Sequence, residues 1–253
     1  MDRSDSEEAG LTAASARRLL CNPLPGPQES VELGDEAAQH AKVLRLGVGD
    51  ALSLFDGRGG ILPARIDALA RGRLVCTATG SPHRVPRGPE VALVLCLVKG
   101  KKLDDIVRMT TEIGVSAIHL ALSERCVVQK TERDAYKIER LMRIASEAVR
   151  QSEQPYLPEI TVPMSLEQVL DRAPAEAVRL ALLERSCAGF ETPPGAVRLW
   201  LVVGPEGGLS SRDREILSHA KFRPTGLGRA ILRTETAAVV GVALGLNLLG
   251  RRC

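Results

Sequence analysis

The sequence predicts an α/β chain in two parts, a small β-rich domain followed by a larger parallel sheet covered by helices. Three observations predict it. Short apolar runs separated by glycine turns recur at roughly ten-residue spacing between Val31 and Gly80. A proline-dense stretch follows, Ser81 to Glu90, with Pro82, Pro86 and Pro89. From Val91 onward, unbroken apolar runs alternate with amphipathic segments, the pattern of doubly buried strands with helices laid over them.

In chain order, residues 1–16 carry Asp2, Asp5, Glu7 and Glu8 with few apolar side chains, which predicts a mobile acidic tail. Arg17 and Arg18 form a cationic pair ahead of Pro23, Pro25 and Pro27. Asp35–Arg45 reads as a short helix capped by Asp35 and stopped near Gly47. Strands are expected at Ala51–Phe55, Ile61–Leu69 and Arg73–Thr79, separated by the turn Asp56-Gly57-Arg58-Gly59-Gly60 and by Arg71-Gly72. Together they suggest a small barrel over 17–81, joined by a linker at 82–90 to a second domain over 91–253.

In that second domain, Val91–Val98 and Ala117–Leu122 read as strands, with a helix over Leu103–Ile113 between them. Asp134–Gln151 has the apolar spacing of a long amphipathic helix. Arg179–Leu183 and Arg198–Val203 are two further buried strands, and Ser210 is placed to cap a helix running to about Lys221. The last helix, Glu235–Leu249, is apolar nearly all round, so it must be buried on more than one side. Its Gly241-x-x-x-Gly245 strip suits close packing, against the core or against a second copy.

Composition excludes several classes. Aromatic residues are 2% of the 253, too few for an aromatic base-stacking platform. The six cysteines and four histidines are scattered, with no C-x-x-C pair, which argues for reduced thiols and against a zinc site or disulfide framework. The N-terminus lacks the basic-then-apolar order of a signal peptide, and the last helix is too short and glycine-broken to span a membrane, so a cytoplasmic protein is expected. Net charge is +3, so any nucleic-acid contact must come from local clustering.

Two motifs carry the chemistry. Leu199 to Ser210, L-W-L-V-V-G-P-E-G-G-L-S, is a buried strand running into a glycine turn and a helix start. Leu227 to Ala238, L-G-R-A-I-L-R-T-E-T-A-A, is a second glycine turn leading into a helix. Such turns bring bare backbone up to a ligand, or they simply turn the chain. No Lys-Ser or Lys-Thr follows the first, so it is not a phosphate-binding Walker loop, and too little chain follows Gly228 for a dinucleotide fold.

The two motifs together resemble the ribosomal RNA small subunit methyltransferase E family, of the SPOUT class. The resemblance extends to H-A-K-V-L-R-L-G-V-G-D (His40–Asp50), E-I-G-V (Glu112–Val115) and S-E-R-C (Ser123–Cys126), and it covers nearly all of the chain after the first fifteen or so residues. It implies a PUA-like RNA-binding barrel, then a SPOUT-type parallel sheet with a trefoil knot that binds S-adenosylmethionine, and a homodimer through that second domain. The implied reaction is methylation of N3 of a uridine in 16S ribosomal RNA. The match assigns Leu183, Val203, Gly204, Pro205, Glu206, Gly207, Gly208, Leu227, Gly228, Ile231, Leu232, Thr234 and Ala237 to the cofactor pocket.

Arg233 and Glu235, just after the second turn, are the candidate catalytic pair. The first would stabilise negative charge on the base and the second would take the imide proton. Thr234 or Thr236 capping the last helix is the plainer account of the same segment. Candidate RNA contacts are Arg17, Arg18, Arg45, Lys99, Lys101, Lys102, Arg125 and Arg229. Two positions depart from the family pattern, Met109 where a lysine is usual and Gln154 where an arginine is usual. A SPOUT enzyme with another RNA target, and a non-catalytic ribosome-assembly factor, are the competing readings.

Overall fold

The computed structural model describes residues 17–98, 100–126, 138–184, 186 and 188–250. They divide into two compact units, one of residues up to 87 together with 149–157, the other of 88–148 and 158 onward. The acidic stretch 1–16, Lys99 and the first four residues of the helix expected from Asp134 lie outside the described residues.

In the first unit the strands are β1 (Arg18–Leu20), β2 (Ser30–Leu33), β3 (Ala51–Phe55), β4 (Gly60–Ala70), β5 (Arg73–Ala78) and β6 (His83–Arg84). One helix, α1 (Asp35–Val43), lies between β2 and β3 in the chain. The sheet runs β1-β3-β4-β5-β2, with β6 beside β4, and only the β1–β3 pair is parallel. Helix α1 packs against β1, β2 and β5, so it covers both edge strands of that path. Its buried Ala38 and Ala41 meet Leu19, Leu52, Leu54, Leu62, Ile66 and Leu74, all fully buried, in one apolar core. A second, smaller core joins Phe55 and Ile61 to Val149, with Leu157 against it.

Several details differ from the expectation. Gly34 occupies the cap of α1 and Asp35 is its first helical residue, where with Glu36 it faces the positive helix end. β1, β2 and β6 are only two to four residues long, too short to leave an alternation in the sequence. β6 also draws the first half of the proline-rich stretch into the sheet, as proline-flanked chain does when it adds at an edge.

In the second unit the order is β7 (Glu90–Cys96), α2 (Lys101–Glu112), β8 (Ala117–Leu122), α3 (Ile138–Gln151), β9 (Glu159–Ile160), β10 (Met164–Ser165), α4 (Leu166–Leu170), β11 (Val178–Leu182), β12 (Arg198–Val203), α5 (Ser211–His219), β13 (Arg223–Thr225) and α6 (Thr234–Gly250). The sheet reads β10-β8-β7-β12-β11-β13, with β9 also on β8, and every pair is parallel. Chain order reverses between β7 and β12, which pair in register from Glu90–Arg198 to Leu95–Val203. In open α/β sheets the crevice beyond the carboxyl ends of strands at such a reversal is where ligands bind.

Alternation along β7 and β12 divides the core. Ala92, Val94, Cys96, Trp200 and Val202 pack with Leu166, Val169 and Leu170 of α4 and Leu217 of α5. The opposite face takes α6, which also packs on α2. A Cβ on Gly241 would lie 2.6 Å from Leu201 Cδ2, and one on Gly245 would lie 2.6 Å from Leu199 Cδ2. The glycine strip is therefore used against the sheet of its own chain. On the far side of α6, Val240 and Leu244 remain 36% and 39% exposed, beside exposed Ala243 and Asn247. The helix is thus buried on more than one side, as expected, and no element among the described residues of one chain covers the stripe that holds Val240 and Leu244.

Among the described residues, Cys21, Cys76, Cys96 and Cys126 are unpaired thiols, no group of ligating side chains could hold a metal, and no helix is long and apolar enough to cross a membrane. Burial pushes the Cys76 thiol up to about 12, with the Asp67 carboxylate reinforcing it.

Candidate active site

Beyond the carboxyl ends of β11 and β12 the chain makes its two glycine turns, and between them lies a cleft open to solvent. β11 contributes Leu182 and, at its end, Leu183 and Glu184. β12 ends at Val203 and passes into Gly204, Pro205, Gly207, Gly208 and Leu209. The second turn brings Leu227, Gly228, Ala230, Ile231 and Leu232, and the first turn of α6 brings Thr234 and Ala237.

The local sequence explains the shape. Gly208 sits at φ +68° and its amide donates to the Pro205 carbonyl at 2.9 Å, a tight turn that a side chain would strain. Ser210 then caps α5: its Oγ accepts from the Asp213 amide at 3.0 Å, and Asp213 Oδ2 accepts from the Ser210 amide at 2.9 Å. Asp213 is 2% exposed, and its Oδ1 also accepts from the Glu124 amide at 3.2 Å. A buried carboxylate thus ties the S-E-R-C segment to the helix start. From the same segment Arg125 Nη1 donates to the Gly207 carbonyl at 3.0 Å, and Cys126 Sγ donates to the Leu97 carbonyl at 3.4 Å.

The second turn is anchored through β13. The Leu183 amide donates to the Thr225 carbonyl, Thr225 Oγ1 donates to the Gly189 carbonyl, and the Gly226 amide donates to the Ala188 carbonyl. A Cβ on Gly226 would collide with the Ser186 carbonyl oxygen, so this close approach requires glycine. Neither Thr234 nor Thr236 needs to cap α6; the Ala237 amide donates to the Arg233 carbonyl at 2.8 Å and the helix starts at Thr234.

Of the residues the resemblance assigns to the cofactor, all line this cleft except Glu206. Glu206 Oε1 instead accepts from Lys102 Nζ at 2.9 Å, both side chains being part-exposed. Arg233 is exposed and Glu235 half-buried, and neither is in the lining. Both nevertheless act electrostatically on Lys102. The Glu206 hydrogen bond holds its ammonium above the ordinary lysine value, Glu235 adds to that, and Arg233 opposes it. Lys102, Glu206, Arg233 and Glu235 therefore form one charged group from three elements. Glu235 Oε2 is buried without a hydrogen-bond partner among the described residues.

The other cations are dispersed. Arg17 and Arg45 are exposed on the first unit, the latter at φ +56°, and Arg18 Nη1 donates to the Glu153 carbonyl at 2.6 Å. Lys101 and Arg229 are exposed on the second unit, and Arg125 lines the cleft. Met109 is half-buried on α2 and Gln154 half-buried in the first unit. Sequence reasoning missed Leu182, Glu184, Leu209, Arg214 and Ala230 as lining residues, and gave Arg125 to RNA. Arg214 had a signal, since it lies four residues after the Ser210 cap; Glu184 had none.

Comparison with known proteins gives consistent matches. Residues 86–245 match the RNA methyltransferase domain family, and residues 33–78 the RNA methyltransferase PUA domain family. The chain is 34% identical over 248 residues to the ribosomal RNA small subunit methyltransferase E of Synechocystis, spanning 94% of this chain and 79% of that protein. The crystal structure of the Neisseria gonorrhoeae enzyme of the same name, bound to S-adenosyl methionine, superposes with TM-score 0.84 at 26% identity, over 92% of this chain and 97% of that one. A Legionella pneumophila methyltransferase in complex with the same cofactor gives TM-score 0.81 at 28% identity, over 91% and 96%.

Proposed function

From the premise that the chain belongs to the ribosomal RNA small subunit methyltransferase E family, we propose that it transfers a methyl group from S-adenosylmethionine to N3 of a uridine in small-subunit ribosomal RNA, in the cytoplasm. The observation that carries the reading is the cleft between the two glycine turns, with the charged group of Lys102, Glu206, Arg233 and Glu235 beside it.

The residues present fit the cofactor. Leu183, Val203, Leu227, Ile231 and Leu232 give apolar walls for a flat base, and the glycine turns leave room for backbone contacts. Arg125, Arg214 and Glu184 on the lining offer opposite charges to a zwitterionic amino-acid end. When bound, S-adenosylmethionine supplies a methyl group activated on a sulfonium.

The chain's own residues do the rest. The N3 proton of uracil must leave for its lone pair to attack, and Glu235 Oε2, buried without a partner among the described residues, is the atom that takes it. Negative charge then spreads to the two carbonyl oxygens of the base. Arg233, with Lys102 beside it, supplies the opposing charge. The exposed stripe of Val240, Ala243, Leu244 and Asn247 pairs with a second copy of the chain. The same reading includes the trefoil knot, which would bring both glycine turns to one cleft.

The test is methylation of small ribosomal subunits, and of their deproteinised RNA, by purified protein with S-adenosylmethionine. Nucleoside mass spectrometry should then find 3-methyluridine. Another methylated nucleoside would overturn the position, and absence of S-adenosylhomocysteine binding would overturn the enzyme.

A further inference from the structure

The turn between β3 and β4 is built more elaborately than a hairpin needs. Asp56 Oδ1 accepts from the amides of Arg58 at 2.7 Å and Gly60 at 2.8 Å, fixing the loop from inside. Gly59, at φ +92°, donates its amide to the Pro155 carbonyl at 3.0 Å and accepts from the Val85 amide at 2.8 Å. A Cβ there would collide with the Tyr156 hydroxyl, so only glycine admits that ring. Arg58 pairs its backbone with Tyr156, whose hydroxyl donates to the Val85 carbonyl at 2.6 Å.

This frame gathers three guanidinium groups to which the motifs of the sequence assign no role. Arg58 is exposed at the tip of the loop, and among the described residues no acid pairs with its guanidinium. Arg84 Nη1 donates to the Arg58 carbonyl at 3.2 Å, with its side chain 70% exposed. Arg87 lies over the Tyr156 ring, 5.2 Å from its centroid. Asp56 is the acid beside Arg58 and Arg84. Its Oδ1 is taken by the loop amides, and its Oδ2 lies a loose 3.9 Å from Arg84. Arg58 and Arg84, two like charges held on one rigid loop, repel one another and together attract an anion. Tyr156 has Arg87 over its ring and its hydroxyl tethered, so it serves as scaffold.

We propose that Arg58, Arg84 and Arg87, set on the Asp56–Gly60 loop and Tyr156, form a docking patch for the phosphate backbone of RNA. The patch positions the RNA without reading its sequence, since guanidinium contacts to phosphates carry no sequence information. The inference rests on the reading of the protein as an RNA methyltransferase and adds to it the place where substrate RNA is held.

The test measures binding of the full-length protein to a small-subunit ribosomal RNA transcript across a salt series, with S-adenosylhomocysteine affinity followed in parallel. Arg58→Glu combined with Arg84→Glu should weaken RNA binding ten- to hundred-fold near 0.1 M salt. It should also flatten the dependence of log K on log salt by about one unit for each phosphate that the protein no longer neutralises. Cofactor affinity should stay within twofold and the far-UV circular dichroism unchanged, which shows that both units are folded. Arg58→Lys, which keeps the charge, should recover most of the single-site loss. Unchanged RNA affinity and salt slope in a double variant that binds cofactor would overturn the patch and leave the methyltransferase reading standing. A wild-type protein that binds S-adenosylhomocysteine but no ribosomal RNA would overturn both.

Discussion

Lys102 Nζ donates to Glu206 Oε1 at 2.9 Å, which ties the first turn of α2 to the glycine turn after β12. The two residues came from different expectations, RNA contact for one and cofactor contact for the other. The ion pair is solvent-accessible, so it adds little to stability. On the proposed reading, its place beside Arg233 and Glu235 lets it supply charge at the reaction centre. Lys102→Met should leave thermal stability nearly unchanged while lowering methyl transfer about tenfold. A rate equal to wild type would remove Lys102 from the charged group.

Arg233→Ala and Glu235→Gln separate binding from chemistry. Each should retain S-adenosylhomocysteine affinity within a few-fold, because neither side chain lines the cleft. Single-turnover methylation should fall about a hundred-fold for the loss of one oriented charge. Full activity in Arg233→Ala would misplace the catalytic centre.

Gly207 offers a cleaner probe of the cleft than its neighbours. A Cβ there would meet Arg125 at an ordinary 3.5 Å, so Gly207→Ala is tolerated by the protein itself. A fall in cofactor affinity, measured calorimetrically in a variant of wild-type stability, would then report contact with the ligand. Gly226→Ala should instead destabilise the fold, since its Cβ would collide with backbone.

On the proposed reading, one face of α6 is core and the other a dimer interface. Gly241→Ala should cost about 1–3 kcal/mol by overpacking against Leu201, whatever the oligomeric state. Leu244→Glu lies on the exposed stripe and should yield a folded monomer in sedimentation. A wild-type chain that is already monomeric at micromolar concentration would refute the dimer.

His119 gives the fold an acid limb. It stacks on Trp200 with ring centroids 4.6 Å apart, 5% exposed, and its Nδ1 has no partner among the described residues. Burial holds its imidazole below the ordinary value of 6.5; Glu159 opposes the shift and Arg172 reinforces it. The unfolded chain therefore binds the proton more readily, and stability rises with pH through this window. The His119 contribution is complete above about pH 6.5 and declines as pH falls toward the lowered folded-state value. His119→Leu should make the urea midpoint less dependent on pH between about 6.5 and 5. An unchanged slope would assign the acid limb to other groups.

Much of this was legible because long buried strands and glycine turns leave strong marks. β7, β8 and β12 announce themselves as apolar runs, and the Ser210 cap is explicit in S-S-R-D. Less legible was what depends on distant partners. Residues 149–157 belong with the first unit because Val149 and Leu157 meet Phe55 and Ile61, and no local pattern reports such a meeting. β13 contains Pro224 and spans only three residues, so its pairing with β11 leaves no alternation to find. Glu206 lies between two lining residues of the turn, and only Lys102, 104 residues earlier, reveals its different partner.

The place of β12 also sets the order in which the molecule can assemble. It lies between β7, more than a hundred residues earlier, and β11, and it pairs with both along their length. During synthesis β7 and β8 can pair early, yet the other edge of β7 stays open until residues 198–203 emerge. An open, largely apolar edge is a site for pairing with the wrong strand. Contacts of such long sequence separation also slow folding. Refolding of the second unit should therefore be slow and sensitive to protein concentration, with a partial sheet waiting for its central strand.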